Sequence, residues 1–374
     1  MRKNLICCFL LLCSFFNGRA QEQIAVQKDS LQQDSVQEKR IKFAIYPALG
    51  YSPETKVNIG TIAFFVFNTK SKNPTFHRPS SITPYIVFTT NKQVLIKSDF
   101  DLFFGNGMNL NMEARVFDFP DNYYGIGSET DPDVVEQYTD RYVAMSGTLL
   151  KPVTPQWFGG IRFDFQYNNI TDLLDSGLLE TDVPVGIEGG RNMGLGPAFR
   201  NDTRNSTLWP THGRFINARA AFYGKAFGGE YNYGSFLFDY RQYFEFLGPK
   251  SVLAIQFRMN LTSGDAPFYK LPKMGGGGRL RGIEHRNLYR DRQLMYFQVE
   301  ARQELFWRFG GVIFAGVGEV FDSFSEFGTD KIRAVYGLGG RFRALKDEKL
   351  NFRMDLGFTD NGQHAFYLSV REAF

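Results

Sequence analysis

From Ile41 onward the chain is a succession of runs, each about ten residues long, in which apolar and polar side chains alternate. In Gly160–Tyr167, Ile161, Phe163, Phe165 and Tyr167 alternate with Arg162, Asp164 and Gln166. In Ser251–Leu261, Leu253, Ile255, Phe257, Met259 and Leu261 alternate with Ala254, Gln256, Arg258 and Asn260. Met108–Val116 and Leu350–Phe358 repeat the pattern. A β-strand sends successive side chains to opposite faces, so each run reads as one strand with an apolar and a polar side. Soluble sandwiches alternate too, but over about 5–6 residues. Runs near ten suit tilted strands that cross a bilayer.

Composition points the same way. Aromatic residues make up 16% of the chain, with 39 Phe and 18 Tyr, yet the mean hydropathy is slightly negative. That pairing fits a barrel with an apolar outer face and a polar lumen. After the first twenty residues, no stretch of about 20 apolar residues could span a membrane as a helix. A net charge of +4 is too small to argue for nucleic acid as a partner.

Laid end to end, the runs give sixteen candidate strands. They start near residues 42, 57, 83, 93, 108, 139, 157, 192, 214, 233, 252, 293, 311, 332, 349 and 364. An even count suits a single-chain barrel with both ends of the sheet on one side. The tight links near 105–107, 151–156, 247–251, 308–310 and 346–349 fall on one side. The long ones near 119–138, 168–191 and 263–292 fall on the other, and the 69–81 link is a long exception among the tight ones. Short periplasmic turns and long outer loops are the outer-membrane pattern. The predicted fold class is therefore all-β, a transmembrane antiparallel β-barrel of sixteen strands over residues 41–374.

Residues 1–20 read as a secretory signal, with Arg2 and Lys3 before an apolar run and small residues Gly18 and Ala20 before a cut near Ala20. Cys7, Cys8 and Cys13 would leave with it, so neither disulfides nor cysteine–metal chemistry is expected. Residues 21–40, rich in Gln, Asp, Lys and Ser, read as a polar disordered linker. The chain ends in Phe366–Phe374, an alternating strand closed by an aromatic residue, which resembles the signal by which outer-membrane barrels are recognised for insertion. The expected location is the bacterial outer membrane, with membrane lipid and lipopolysaccharide around the barrel.

Between the eleventh and twelfth strands stands Lys273–Ile283, with Gly275, Gly276, Gly277 and Gly278 in a row. Four glycines cannot be the interior of a regular element, because each costs backbone entropy there. They predict a hinge, followed by Arg279 and Arg281 on a loop folded back onto a charged wall. Leu294–Glu304 offers such a wall, with Glu300 and Arg302 on its polar side.

Five segments, in order, resemble the BamA/TamA superfamily, also called bacterial surface antigen proteins. They are Tyr51–Thr55 with Gly60, Tyr124–Gly127, Asn201–Asn205 with Trp209–Gly213, Arg281–Ile283, and Arg353–Gly357. The third segment carries the turn residues Asp202, Arg204, Pro210 and Gly213. The resemblance covers most of residues 41–374 and implies a sixteen-stranded barrel that inserts or translocates other proteins. It also implies that outer loop 6 folds into the lumen and is locked there by its arginine. Arg281, Gly282 and Ile283 would be the loop tip and Glu300 the acidic partner on strand twelve. The family's second acid, on strand thirteen, is replaced here by Gly316, and the tip aromatic by Ile283. Two outcomes are open: a looser lock, or compensation by Glu284 or Glu304. Family members usually carry periplasmic POTRA domains, for which the roughly 20 residues before the barrel leave no room.

Three functional readings follow. In the first, clients pass through a lateral seam between the first strand (42–52), weakened by Pro47, which cannot donate a ladder hydrogen bond, and the last strand (365–374), ending at Phe374. The clients would be outer-membrane or secreted proteins. In the second, the barrel is a passive pore or structural barrel. In the third, it is the barrel subunit of a larger complex with a periplasmic or surface partner. No enzyme is expected. His77, His212, His285 and His364 are scattered without metal-ligand spacing, the glycine run lacks the Gly-Lys-Ser/Thr of a phosphate loop, and no Gly-x-Ser-x-Gly elbow occurs. Neither a metal nor a cofactor is expected.

Overall fold

A computed structural model describes residues 41–67, 79–345 and 350–374. The expected signal (1–20), linker (21–40), most of the 69–81 link, His77 and the 346–349 turn lie outside the described residues.

Sixteen antiparallel strands close into a barrel. They are β1 (Lys42–Ser52), β2 (Lys56–Phe67), β3 (Ser80–Thr89), β4 (Val94–Phe103), β5 (Asn109–Tyr123), β6 (Glu136–Pro152), β7 (Trp157–Thr171) and β8 (Gly189–Asp202). The second half comprises β9 (Gly213–Tyr223), β10 (Tyr233–Glu245), β11 (Ser251–Gly264), β12 (Gln293–Glu304), β13 (Phe309–Phe321), β14 (Arg333–Leu345), β15 (Leu350–Thr359) and β16 (His364–Val370). Alternation places every start within three residues of these, with the largest offsets at β3, β6 and β8. At β6 and β8 the misses share a cause. β5 to β8 run 14 to 17 residues, longer than a bilayer needs, and their outer ends stand clear of it, where the apolar pattern fades.

The alternation sorts the two faces. Ile45, Phe88, Ile161, Phe222, Ile313 and Leu338 are exposed on the outer wall, where a bilayer would cover them. Asp164, Asp239, Glu300, Arg302 and Asp355 are buried on the inner one. Long connections gather at one end, the loop end. There residues 124–135, residues 172–188 with helix α1 (Leu178–Asp182), and residues 265–292 pack over the lumen. Phe268 from the last of these fits among Tyr123, Tyr138 and Leu179. Buried Glu136 accepts hydrogen bonds from the Leu174 and Leu179 amides at 3.1 and 2.7 Å, anchoring α1.

The closure is uneven. β1 pairs with β2 over its whole length, Lys42 with Val66 through Ser52 with Lys56. Against β16 it has one residue pair, Tyr51 with Leu368. Pro47 pairs with Thr61 on the β2 side and shares the outward face with exposed Ile45 and Leu49.

The expected position of Phe374 is corrected. β16 stops at Val370 instead of running to 374. Arg371 takes φ 73°, the chain reverses, and Phe374 is buried in the lumen with Tyr243, Val252 and Ala254. The reason is electrostatic. Continued alternation would turn Glu372 toward lipid, on the face of Phe366 and Leu368. Instead Glu372 accepts from Arg341 Nε at 2.7 Å and from Asn351 Nδ2 at 2.9 Å.

Candidate functional site

The inner wall of β12 to β15 and the sixth connection at the loop end, loop 6 (265–292), build the site. A two-residue ladder, Lys273–Met274 with Tyr289–Arg290, forms the neck of the loop. Gly275 and Gly276 follow with φ 109° and 101°, a conformation that L side chains avoid, and Arg279 N donates to Gly276 O at 3.1 Å to close the turn. Gln298 on β12 holds the descending backbone, accepting from Leu280 N at 3.2 Å and donating to Gly278 O at 3.3 Å. The tip then lies flat on β15. A side chain at Gly282 would sit 2.7 Å from Phe358 O, and the Gly357 face is filled by the Arg281 carbonyl. The tip residue Ile283 is buried beside Met274 and Leu280, and its carbonyl accepts from Tyr367 Oη on β16 at 3.1 Å.

Arg281, almost wholly buried, extends between three strands. Nη1 donates to Asp355 Oδ2 on β15 at 2.7 Å, Nη2 to Glu300 Oε2 on β12, and the guanidinium lies 3.6 Å from the centre of the Phe314 ring on β13. Around it, Arg302 Nε donates to Glu300 Oε1 at 2.6 Å and Arg341 Nη1 to Asp355 Oδ1 at 2.6 Å. Arg353 Nε lies 3.4 Å from Asp355 Oδ2. Each carboxylate is thus shared by more than one guanidinium. In a buried network of this kind, removing one member leaves a charge unpaired and costs about 3–5 kcal/mol.

Two sequence expectations change here. The acid thought missing from β13 is supplied by β15, as Asp355. Neither Glu284 nor Glu304 compensates: Glu304 pairs with Arg343, and the hydrogen bond at Glu284 runs from its backbone N–H to Gln363. Gly316 is not an empty place either. A Cβ there would meet Leu280 Cδ2 at 2.8 Å and Gln298 Cβ at 2.9 Å, so the loop residue before Arg281 occupies the space an acid would need. Asp355 was readable as an inward residue of an alternating strand. Its partnership with a residue 74 positions away was not.

The turn residues lie at the opposite end. Arg204 grips Asp202 through Nε and Nη2, both at 2.9 Å, and covers the Phe215 ring at 4.5 Å. This turn (203–212) folds inward, burying Trp209 and Pro210, before Gly213 opens β9. Its Trp209 joins Tyr243 and Phe374 in a ring of three aromatics around the Arg302 guanidinium, at 5.8, 5.8 and 5.5 Å. Arg302 Nη2 also donates to Phe374 O at 2.9 Å. Sequence reading missed this convergence. Among the described residues, no group of three His, Cys, Asp or Glu side chains is placed to hold a metal ion.

A closed sixteen-stranded antiparallel barrel with an apolar outer wall and its sixth loop pinned inside defines a class: a β-barrel of the outer-membrane type. The family model described as the Omp85 superfamily domain matches residues 83–360, and the chain belongs to that superfamily. Among solved structures it is similar to BamA from Haemophilus ducreyi lacking POTRA domains 1–3, with 14% identity over 88% of this chain and 70% of that one, at a TM-score of 0.61. It is also similar to CdiB from Acinetobacter baumannii (11% identity, 89% of this chain, 65% of that one, TM-score 0.54). CdiB from Escherichia coli gives 10% identity, 89% and 67% coverage, and a TM-score of 0.56. At these identities the likeness is one of fold. A search of curated proteins finds no match.

Proposed function

We propose that this barrel inserts or exports client polypeptides through the junction of β1 and β16. The observation that carries the proposal is the single residue pair, Tyr51 with Leu368, that closes it. Elsewhere on these two strands the backbone edges facing the junction have no ladder partner, and open edges are templates onto which an incoming strand can pair. The clients are outer-membrane or secreted proteins in extended form, with membrane lipid and lipopolysaccharide around the outer wall. A periplasmic or surface subunit would deliver or receive them.

Loop 6 is the internal brace of this mechanism. Arg281 ties it to β12 and β15, and the Tyr367–Ile283 hydrogen bond ties it to β16 itself. Movement of β16 at the junction therefore pulls on the braced loop. The inward turn with Asp202, Arg204 and Pro210 narrows the other end, where its Trp209 packs by Arg302.

Residues 41–374 contain no cysteine, so the test is clean. A Tyr51→Cys/Leu368→Cys barrel should form a disulfide across the junction. In cells depleted of the native protein, the reduced form should restore the outer-membrane protein inventory and the oxidised form should not. Normal function of the oxidised barrel would overturn the lateral route. An inventory unchanged by depletion, together with steady conductance in planar bilayers, would describe a passive pore instead.

A further inference from the structure

The wall of the lumen formed by β7 to β11, with the part of loop 6 that crosses it, is electrically unbalanced. Arg162, Arg219, Arg241, Arg258, Lys270 and Arg279 face two carboxylates, Asp164 and Asp239. Asp164 is taken by Arg162 at 2.7 Å and Lys270 at 2.9 Å. Asp239 is taken by Arg241 at 2.7 Å and Arg258 at 3.5 Å. Among the described residues, the side chains of Arg219 and Arg279 make no hydrogen bond or ion pair, and Arg219 stands level, through Leu237 on β10, with Asn260, two residues from Arg258 on β11.

Two other stretches of the lumen wall pair their charges more closely. On β4 and β5, Lys97 and Arg115 are matched by Asp99 and Glu113. Around Arg281 the guanidiniums are buried and share Glu300, Asp355 and Glu372. Arg219, Arg258 and Arg279 are only half-buried and keep access to the lumen. The strand register leaves room in front of them. Arg162 is paired across the sheet with Gly196, and Arg219 with Ala198, so β8 adds little bulk at these two positions.

Uncompensated cations in a cleft with low-dielectric walls concentrate an anion field, and guanidinium forks match the oxygens of a phosphoryl group. We propose that this wall is a binding site for a phosphate-type oxyanion, held by Arg219, Arg258 and Arg279. It goes beyond the lateral-export reading and does not rest on it. The shared chemistry is the phosphoryl group, either as a free ion or as part of a larger solute in the lumen.

The test uses the full barrel in detergent and radiolabelled inorganic pyrophosphate in equilibrium dialysis, with ionic strength held constant by sodium chloride. Saturable binding is expected. Arg219→Gln/Arg279→Gln should weaken it by about tenfold or more, the loss expected for charge-assisted hydrogen bonds, while Arg115→Gln on the balanced wall should leave it intact. Heat-modifiable gel mobility checks that each variant is folded. If the double variant does not fold, Arg219→Gln and Arg279→Gln are read singly, each with a several-fold loss expected. Glucose 1-phosphate competing as well as pyrophosphate places the group on a larger solute, whereas competition by inorganic ions alone assigns the free ion. No saturable binding at matched ionic strength, or equal binding by the folded variants, would overturn the site.

Discussion

Arg281 and Asp355, 74 residues apart, meet at 2.7 Å inside the barrel, and the same guanidinium reaches Glu300 on the other side. This triangle changes what a charge swap should do. Arg281→Glu alone places a carboxylate against two others in a buried site, at a cost of about 3–5 kcal/mol. With a simple pair, adding Glu300→Arg would restore attraction. Here it would leave the new carboxylate at position 281 facing Asp355 and set a new arginine against Arg302, which donates to Glu300 at 2.6 Å. Limited trypsin digestion should cut loop 6 in both variants and spare it in the native barrel. Protection in the double variant would show that Arg281 and Glu300 act as an isolated pair.

Gly316 offers the complementary test. Its neighbours Leu280 and Gln298 approach within 2.9 Å of where a Cβ would stand. Gly316→Asp should therefore destabilise the barrel by about 1–3 kcal/mol, as overpacking does, although it restores an acid on β13. Gly316→Asp/Leu280→Ala should recover part of the loss, because the loop residue no longer fills the space. Unfolding midpoints of the two variants decide it, and equal midpoints would leave Leu280 out of the account.

How much of this was legible follows from where each interaction gets its specificity. Strand count and lumen parity come from a local period of two, so they could be read residue by residue. Glu300 needed the family resemblance, because nothing local marks one inward carboxylate among several. Asp355 has inward parity, but its partner is fixed only when barrel closure and loop 6 bring them together. Gly316 is uninterpretable without Leu280. The inward tail is a different case, since its signal was present. Glu372 would fall on the lipid-facing side of an extended β16, and a strand that ends at Val370 frees it to turn inward to Arg341 and Asn351.

That tail makes a prediction of its own. Phe374 lies 5.5 Å from the Arg302 guanidinium and fills a cluster with Tyr243 and Val252. Phe374→Ala removes a buried ring, a change that costs about 3–5 kcal/mol in a packed core. Trp209 on the same guanidinium should then become wetter. In a Trp157→Phe/Trp307→Phe background its fluorescence reports the site alone, and a red shift with a lowered unfolding midpoint is expected. A lipid-facing Phe374 would leave that emission unchanged.

The last prediction concerns pH at the loop end. Asp291, between the neck of loop 6 and β12, is buried, and burial together with Asp322 and Glu326 nearby raises its carboxyl to about 6. An unfolded aspartate titrates near 3.9, so between these values the folded state binds the extra proton. Stability of this region should fall as pH rises through about 6 and be regained as pH falls toward 4. Arg292, which pairs with Asp322 at 3.2 Å, relieves part of the crowding but leaves Asp291 without a cation of its own among the described ion pairs. Hydrogen exchange of residues 322–332 should accordingly be slower at pH 5 than at pH 7, once the intrinsic pH dependence of exchange is divided out. In Asp291→Asn the group no longer ionises and the difference should shrink. If the variant keeps the full pH dependence, the proton is taken up elsewhere in the loops.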